Sequence, residues 1–271
     1  MNLTSPSQVK AWCIENGFHP NRMMGQNFLV DRNVLEAIVD AGLSGVGAES
    51  SAVLEVGPGL GVMTEEMLRR GCRVTAIEKD PVLAGRLAES LGGPCGLEVV
   101  AGDALAALGR GTLKLDGFDA MVSNLPYQAG TRILLDVVAA RAPKAITVLV
   151  QAEVAERLAA KEGSKARGLA GVWAQLDYDV RIVRRVAATC FWPRPQVGSC
   201  VVRLDRHERN VSLTADERRL FRSLTKRAFS QRRKQLGKVF KYMVQSTARA
   251  EELANEDWIA LTKGLIENED T

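Results

Sequence analysis

Asn124-Leu125-Pro126-Tyr127, following the apolar run Phe118–Val122, carries groups suited to chemistry at a weakly nucleophilic nitrogen. An exocyclic adenine amino group is such a nitrogen, because its lone pair is delocalised into the ring. Acceptors that bind its two hydrogens favour a more tetrahedral geometry, and they act through preorganised electrostatics and proximity to the electrophile. The Asn124 side-chain oxygen and the Leu125 backbone carbonyl can supply these acceptors, with Pro126 stiffening the turn. Tyr127 can stack on a base taken out of its helix, as enzymes acting on bases require. In isolation the same four residues read more readily as an ordinary turn with a buried tyrosine. Their position after three other features reverses that preference.

The first feature is Glu55-Val56-Gly57-Pro58-Gly59-Leu60-Gly61 at the end of an apolar run. Glycines let the backbone turn with positive φ and let a ligand approach the main chain. Pro58 removes a backbone donor, which suits a nucleoside better than a pyrophosphate cradle. The second is Glu78, 21 positions after Gly57, where an acid can grip a ribose diol. The third is Asp103, which can accept the amino group of a cofactor's adenine but reads equally well as a helix cap.

These residues need a scaffold that brings loop ends together. Short apolar runs at Val53–Val56, Arg73–Glu78, Leu97–Ala101, Phe118–Val122 and Ala145–Val150 alternate with helical patterns such as Val62–Arg70, Pro81–Ser90 and Thr131–Ala140. That alternation predicts βα units and a mainly parallel sheet, with a further strand pair near Tyr178–Val186 and Ser199–Leu204. The polar stretch His207–Leu213 interrupts the pattern, and helices are expected over Thr214–Ala228, Gln231–Tyr242 and Trp258–Ile266. Thr214 with Glu217 has the spacing of a capping box. The expectation is an α/β, Rossmann-like domain over 1–206, with 1–21 as an N-terminal extension, and a small α-helical domain over 207–271.

Composition narrows the function classes. No apolar run approaches the roughly 20 residues that span a membrane, and the first residues lack a secretory pattern, so a cytoplasmic protein is expected. The five cysteines are scattered without C-x-x-C spacing and the two histidines lie far apart, so neither a metal site nor a disulfide framework is expected. Net charge is +4, yet residues 181–249 hold 18 Lys/Arg against 4 Asp/Glu, while the remainder holds 18 against 28. Such crowding points to a polyanionic partner, with Arg232, Arg233 and Lys234 as RNA-binding candidates; a solvated helical surface is the plainer reading.

Taken in order, Gly25-Gln26-Asn27-Phe28-Leu29, the Glu55–Gly61 turn, Glu78-Lys79-Asp80, Gly102-Asp103-Ala104 and Asn124–Tyr127 resemble the ribosomal RNA adenine dimethyltransferase family. So do Gln151–Arg157, Phe191-Trp192-Pro193-Arg194-Pro195 and Phe229–Lys234, which extends the likeness over roughly residues 22 to 240. The resemblance implies a class I S-adenosylmethionine-dependent methyltransferase fold and, in the bacterial branch, dimethylation of two adjacent adenosines in a hairpin loop near the 3′ end of 16S ribosomal RNA during ribosome biogenesis. It implies that Asn27 and Leu29 line the cofactor pocket, Gly57 contacts the methionine part, Glu78 the ribose and Asp103 the adenine. Asn124 would touch cofactor and target, and Phe191 would face Tyr127 across the base slot, although a core phenylalanine reads as well there. The implied partner is small-subunit RNA within a 30S precursor particle, bound by a monomer.

Two departures from the family pattern are Gln128-Ala129-Gly130-Thr131, more glycine-rich than the usual continuation, and Ala166, where a larger side chain is common. Three other readings compete. An NAD-dependent oxidoreductase would use the glycine turn and acid but leaves Asn124–Tyr127 without a role. A non-catalytic ribosome-assembly factor would not need the intact acids and turn. A methyltransferase acting on large-subunit RNA would keep the chemistry and change the substrate.

Overall fold

Seven strands form one sheet in the computed structural model, which describes residues 1–21, 24–210, 212–244 and 246–269. They are β1 (Ala52–Val56), β2 (Arg73–Glu78), β3 (Leu97–Ala101), β4 (Ala120–Asn124), β5 (Ala145–Gln151), β6 (Tyr178–Val186) and β7 (Ser199–Arg206). Their order is β3-β2-β1-β4-β5-β7-β6. β1 to β5 pair in parallel, and β7 returns antiparallel to β5, from Ala145↔Asp205 to Gln151↔Ser199. β1, β4 and β5 are apolar almost throughout because both their faces are buried, as expected of parallel strands covered by helices. The fold is the Rossmann-like α/β architecture of class I methyltransferases.

Chain reversals are marked by chemistry visible in the sequence. Asp80 accepts from the N–H groups of Val82 and Leu83 and starts the helix Pro81–Ser90, with Pro81 in its first turn. The helix Arg32–Leu43 lies so close to β4 that a Cβ on Gly42 would stand 2.5 Å from Val122 Cγ2. The last carbonyls of that helix are met by Arg203, a buried cation on β7 that donates to Gly42 O (3.0 Å) and Ser44 O (2.7 Å). The expected N-terminal extension is a helix, Pro6–Glu15, whose Val9 and Cys13 join Phe18 and Phe28 in the core.

The chain divides into two compact units, Met1–Ala155 with Arg181–Arg206, and Glu156–Val180 with His207–Thr271. The second unit therefore takes in Glu156–Val180, which sequence alone places with the sheet. Val172 and Leu176 join Phe221, Leu224 and Trp258 in one apolar core, and Arg167, 1% exposed, donates to Ala160 O, Gln175 Oε1 and Asn255 Oδ1. Asn255 begins the helix Asn255–Glu269, so one buried guanidinium ties the two segments together. The helix Ala215–Ser230 starts at the Thr214–Glu217 capping box.

The helix expected over Gln231–Tyr242 is not formed as such. Residues 231–234 make a turn, and only Leu236–Phe240 is α-helical, followed by a short 3-10 turn. Tertiary pairing overrides local propensity here: Gln235 bridges Arg249, Leu236 N–H donates to Ala248 O, and Gly237 N–H donates to Ser246 O.

Candidate active site

The strand order reverses between β1 and β4, and in open α/β sheets ligands bind beyond the carboxyl ends of the strands at such a point. β1 and β4 pair in register through Leu54↔Met121. Beyond that, Val56 N–H is satisfied by Ser123 Oγ at 2.9 Å, a side chain standing in for the ladder. The crevice holds a cavity of about 210 Å³. Asn27, Leu29, Gly57, Glu78, Asp103, Asn124, Leu125, Pro126 and Tyr127 all line it, so residues from four strand ends and the N-terminal segment meet in the first unit.

The glycine turn takes the conformation its sequence requires. Gly57, Gly59 and Gly61 have φ of 72°, 60° and 89°, a region that side chains resist. Gly57 passes close to the Asn124–Tyr127 turn; a Cβ on it would lie 3.7 Å from Asn124 O. Glu78, almost wholly buried, braces the turn: its Oε2 accepts from Gly59 N–H at 3.0 Å and its Oε1 from Asp80 N–H at 2.9 Å. Burial pushes the Glu78 carboxyl above the ordinary range, while those two N–H groups pull it down. Asp103 is the helix cap that its sequence position allowed, and it also lines the cavity. Oδ1 caps the helix Ala104–Gly109 at Leu105 N–H, and Oδ2 pairs with Lys79 Nζ at 2.8 Å beside the cavity. The lysine hydrogen bond holds the Asp103 carboxyl below its usual value.

The N-terminal segment closes one wall of the cavity. Gln26 Nε2 donates to Asp80 Oδ2 at 2.8 Å, and a Cβ on Gly25 would stand 3.3 Å from Tyr127 N. Asn124 Nδ2 donates to Asn27 O at 3.1 Å, while Asn27 Nδ2 donates to Gly25 O. Because a carbonyl only accepts, the contact with Asn27 O fixes which way the Asn124 amide faces and leaves Oδ1 as the acceptor. The glycine after Tyr127 has a steric cause: a Cβ on Gly130 would sit 2.8 Å from Leu125 Cβ. Gly130 N–H donates to Pro126 O at 2.7 Å and starts the helix Gly130–Ala140.

Phe191 departs from its expected place. It pairs with Leu29 in a two-residue ladder, is 3% exposed, belongs to the apolar core and does not line the cavity. A ring packed on all sides in a core has no free face for a base, so the core reading holds. Two contributors escaped sequence reasoning: Gln26 through Asp80, and Ser199, whose hydroxyl lies 2.8 Å from that of Tyr127. Both act across more than fifty positions of sequence, where no local spacing signals a contact.

In the second unit the three basic candidates differ. Arg233 and Lys234 are exposed, Lys234 donating to Gln231 Oε1 at 2.9 Å. Arg232 is half-buried, donates to Lys165 O at 2.6 Å and lies 3.4 Å from Glu251. Among the described residues, no cluster of His, Cys, Asp and Glu is placed to hold a metal ion, and no helix is long and apolar enough to cross a membrane.

A model of the family described as ribosomal RNA adenine dimethylase matches residues 17–263. A protein named ribosomal RNA small subunit methyltransferase A from Deinococcus radiodurans is 44% identical over 207 residues, covering 75% of this chain and 67% of its own length. A protein of the same name from Mycobacterium bovis is 40% identical over 264 residues, covering 94% and 80%. Among solved structures, a dimethyladenosine transferase from Plasmodium falciparum shares the fold with a TM-score of 0.76 at 22% identity, over 88% of this chain and 97% of that one. The 23S rRNA methyltransferase ErmE superposes with a TM-score of 0.69 at 26% identity, over 89% and 100%.

Proposed function

The chain belongs to the ribosomal RNA adenine dimethylase family, and on that premise we propose that it uses S-adenosylmethionine to dimethylate N6 of two adjacent adenosines in a hairpin loop near the 3′ end of small-subunit ribosomal RNA. The observation that carries the chemistry is the Asn124 amide, whose nitrogen is held by Asn27 O so that its oxygen remains to accept. With the Leu125 carbonyl it would bind the two amino hydrogens of the target adenine and favour a tetrahedral nitrogen. Tyr127 would stack on the base.

The donor set of the cavity fits the cofactor. Glu78 presents a buried carboxylate for ribose hydroxyls, Asp103 an acceptor for the adenine amino group, and Asn27, Leu29 and Gly57 complete the lining. S-adenosylmethionine supplies an electrophilic methyl group on a sulfonium with a neutral leaving group. The chain's own part is to orient the target nitrogen and to exclude water with the apolar wall of Leu29, Val62, Ile77 and Leu83.

The choice of small-subunit RNA is supported by relatives at 40–44% identity that carry that name, against 26% for the 23S enzyme. On this reading the chain works as a cytoplasmic monomer on a 30S precursor particle. Radiolabelled methyl transfer to naked RNA, free small subunits and large subunits, with mapping of the label, tests it. Label on two neighbouring adenines of the small-subunit RNA is expected. Label confined to large-subunit RNA would overturn the substrate, and no label on any RNA would overturn the activity.

A further inference from the structure

Ser199 is the first residue of β7, opposite Gln151 at the end of β5. It is 1% exposed, and its hydroxyl shares a hydrogen bond of 2.8 Å with the Tyr127 hydroxyl. Tyr127 leaves the turn after β4, so its side chain reaches past β5 to an anchor on the next strand of the sheet. A ring that only stacks does not need a hydroxyl, yet this one is fixed at both ends. The backbone holds Cα where Gly25 packs against Tyr127 N, and Ser199 holds the phenolic oxygen. The phenolic oxygen lies on the axis about which the ring turns, so these two anchors set χ1 and with it the direction and place of that axis beside the cavity. Burial raises the Tyr127 hydroxyl above its ordinary pKa, with Ser199 pulling the other way, so the phenol keeps its proton at neutral pH.

We propose that Ser199 is a positioning residue for the methylation: it holds the Tyr127 ring at the place where a stacked adenine's amino group meets Asn124. This inference rests on the base-methylation reading above. The plainer alternative is that the Ser199 hydroxyl only stabilises the start of β7.

The two are separated by steady-state methylation of small-subunit RNA by wild type, Ser199→Ala, Ser199→Thr, Tyr127→Phe and the Ser199→Ala/Tyr127→Phe double variant. Cofactor affinity and melting curves are measured on the same proteins. Each single loss of a hydroxyl should lower kcat by about three- to ten-fold, the scale of one neutral hydrogen bond, with KM for RNA and cofactor affinity unchanged. The double variant should be no slower than either single one, because both remove the same bond. Ser199→Thr, which keeps the hydroxyl, should recover most of the rate. Losses that multiply in the double variant, or a Ser199→Ala enzyme as fast as wild type, overturn the positioning role. A wild type that methylates no RNA overturns the underlying reading instead. Should Ser199→Ala fail to fold, Tyr127→Phe decides alone: a wild-type kcat overturns the proposal, and a lowered kcat at constant KM supports it.

Discussion

Asn124 has one polar atom committed and one to spare, and the role proposed for it in methyl transfer follows from that division. With Nδ2 held by Asn27 O, the acceptor is oriented before any base arrives, so little reorganisation accompanies the reaction. Asn124→Ala should cut methyl transfer by roughly 100-fold while RNA affinity stays nearly intact. An equal loss in RNA affinity would make Asn124 a binding residue instead. Glu55, by contrast, lies behind the cavity and is wholly buried, with Thr64 Oγ1 donating to Oε2 at 2.6 Å and Oε1 unpartnered among the described residues. Burial, reinforced by the nearby charge of Glu78, pushes its carboxyl up to about 8, against the opposing pull of Thr64. The unfolded chain ionises this group in the ordinary carboxylate range, whereas the folded chain keeps the proton until about 8. Stability therefore falls as pH climbs between those values and is not regained above them. Glu55→Gln has no proton to lose, so its melting temperature relative to wild type should rise between about pH 5 and about pH 8.5. A difference independent of pH would mean that Glu55 ionises like an exposed acid.

Strands were the most legible elements, because buried parallel strands leave unbroken apolar runs that glycine and proline punctuate. β1, β2 and β3 fall within a residue of their expected bounds. β4 runs Ala120–Asn124 rather than Phe118–Val122, since Phe118 N–H closes a turn onto Leu115 O and in-register pairing with β1 starts only at Ala120. An aromatic residue at a turn looks like the start of a strand until its backbone partner is known. The cavity's lining residues were legible for a related reason: they sit at strand ends, where sequence order and spatial order coincide. What remained hidden depends on distant partners. The pairing of Gln235 with Arg249 replaces a helical turn, the packing of Phe191 withdraws its ring from the site, and Ser199 reaches Tyr127 over 72 positions. Glu156–Val180 joins the second unit through Val172 and Leu176 in its apolar core and through Arg167, a charged residue that composition alone assigns to the surface.

At the scale of the whole molecule, the excess positive charge of residues 181–249 is only partly available to a partner. Arg203 is buried on backbone carbonyls, and Arg218, itself mostly buried, pairs with Asp177 at 2.8 Å. These cations serve the fold, which explains part of the crowding without RNA. Arg233 and Lys234 differ in lying exposed on the turn that follows the helix Ala215–Ser230, and Arg232 stands between the two cases. Contacts to phosphates release counterions, so each one lost should lower the log–log slope of RNA affinity against salt by about 0.7–0.9. The Arg233→Ala/Lys234→Ala protein should therefore bind RNA more weakly, with a slope reduced by roughly 1.5, at unchanged melting temperature and cofactor affinity. Adding Arg232→Ala should flatten the slope less than a full further step and lower the melting temperature, because that side chain already holds Lys165 O and Glu251. RNA affinity measured across a salt series beside melting curves checks both expectations. A slope unaltered in the double variant would remove this turn from the RNA interface and leave its charge as an ordinary solvated surface.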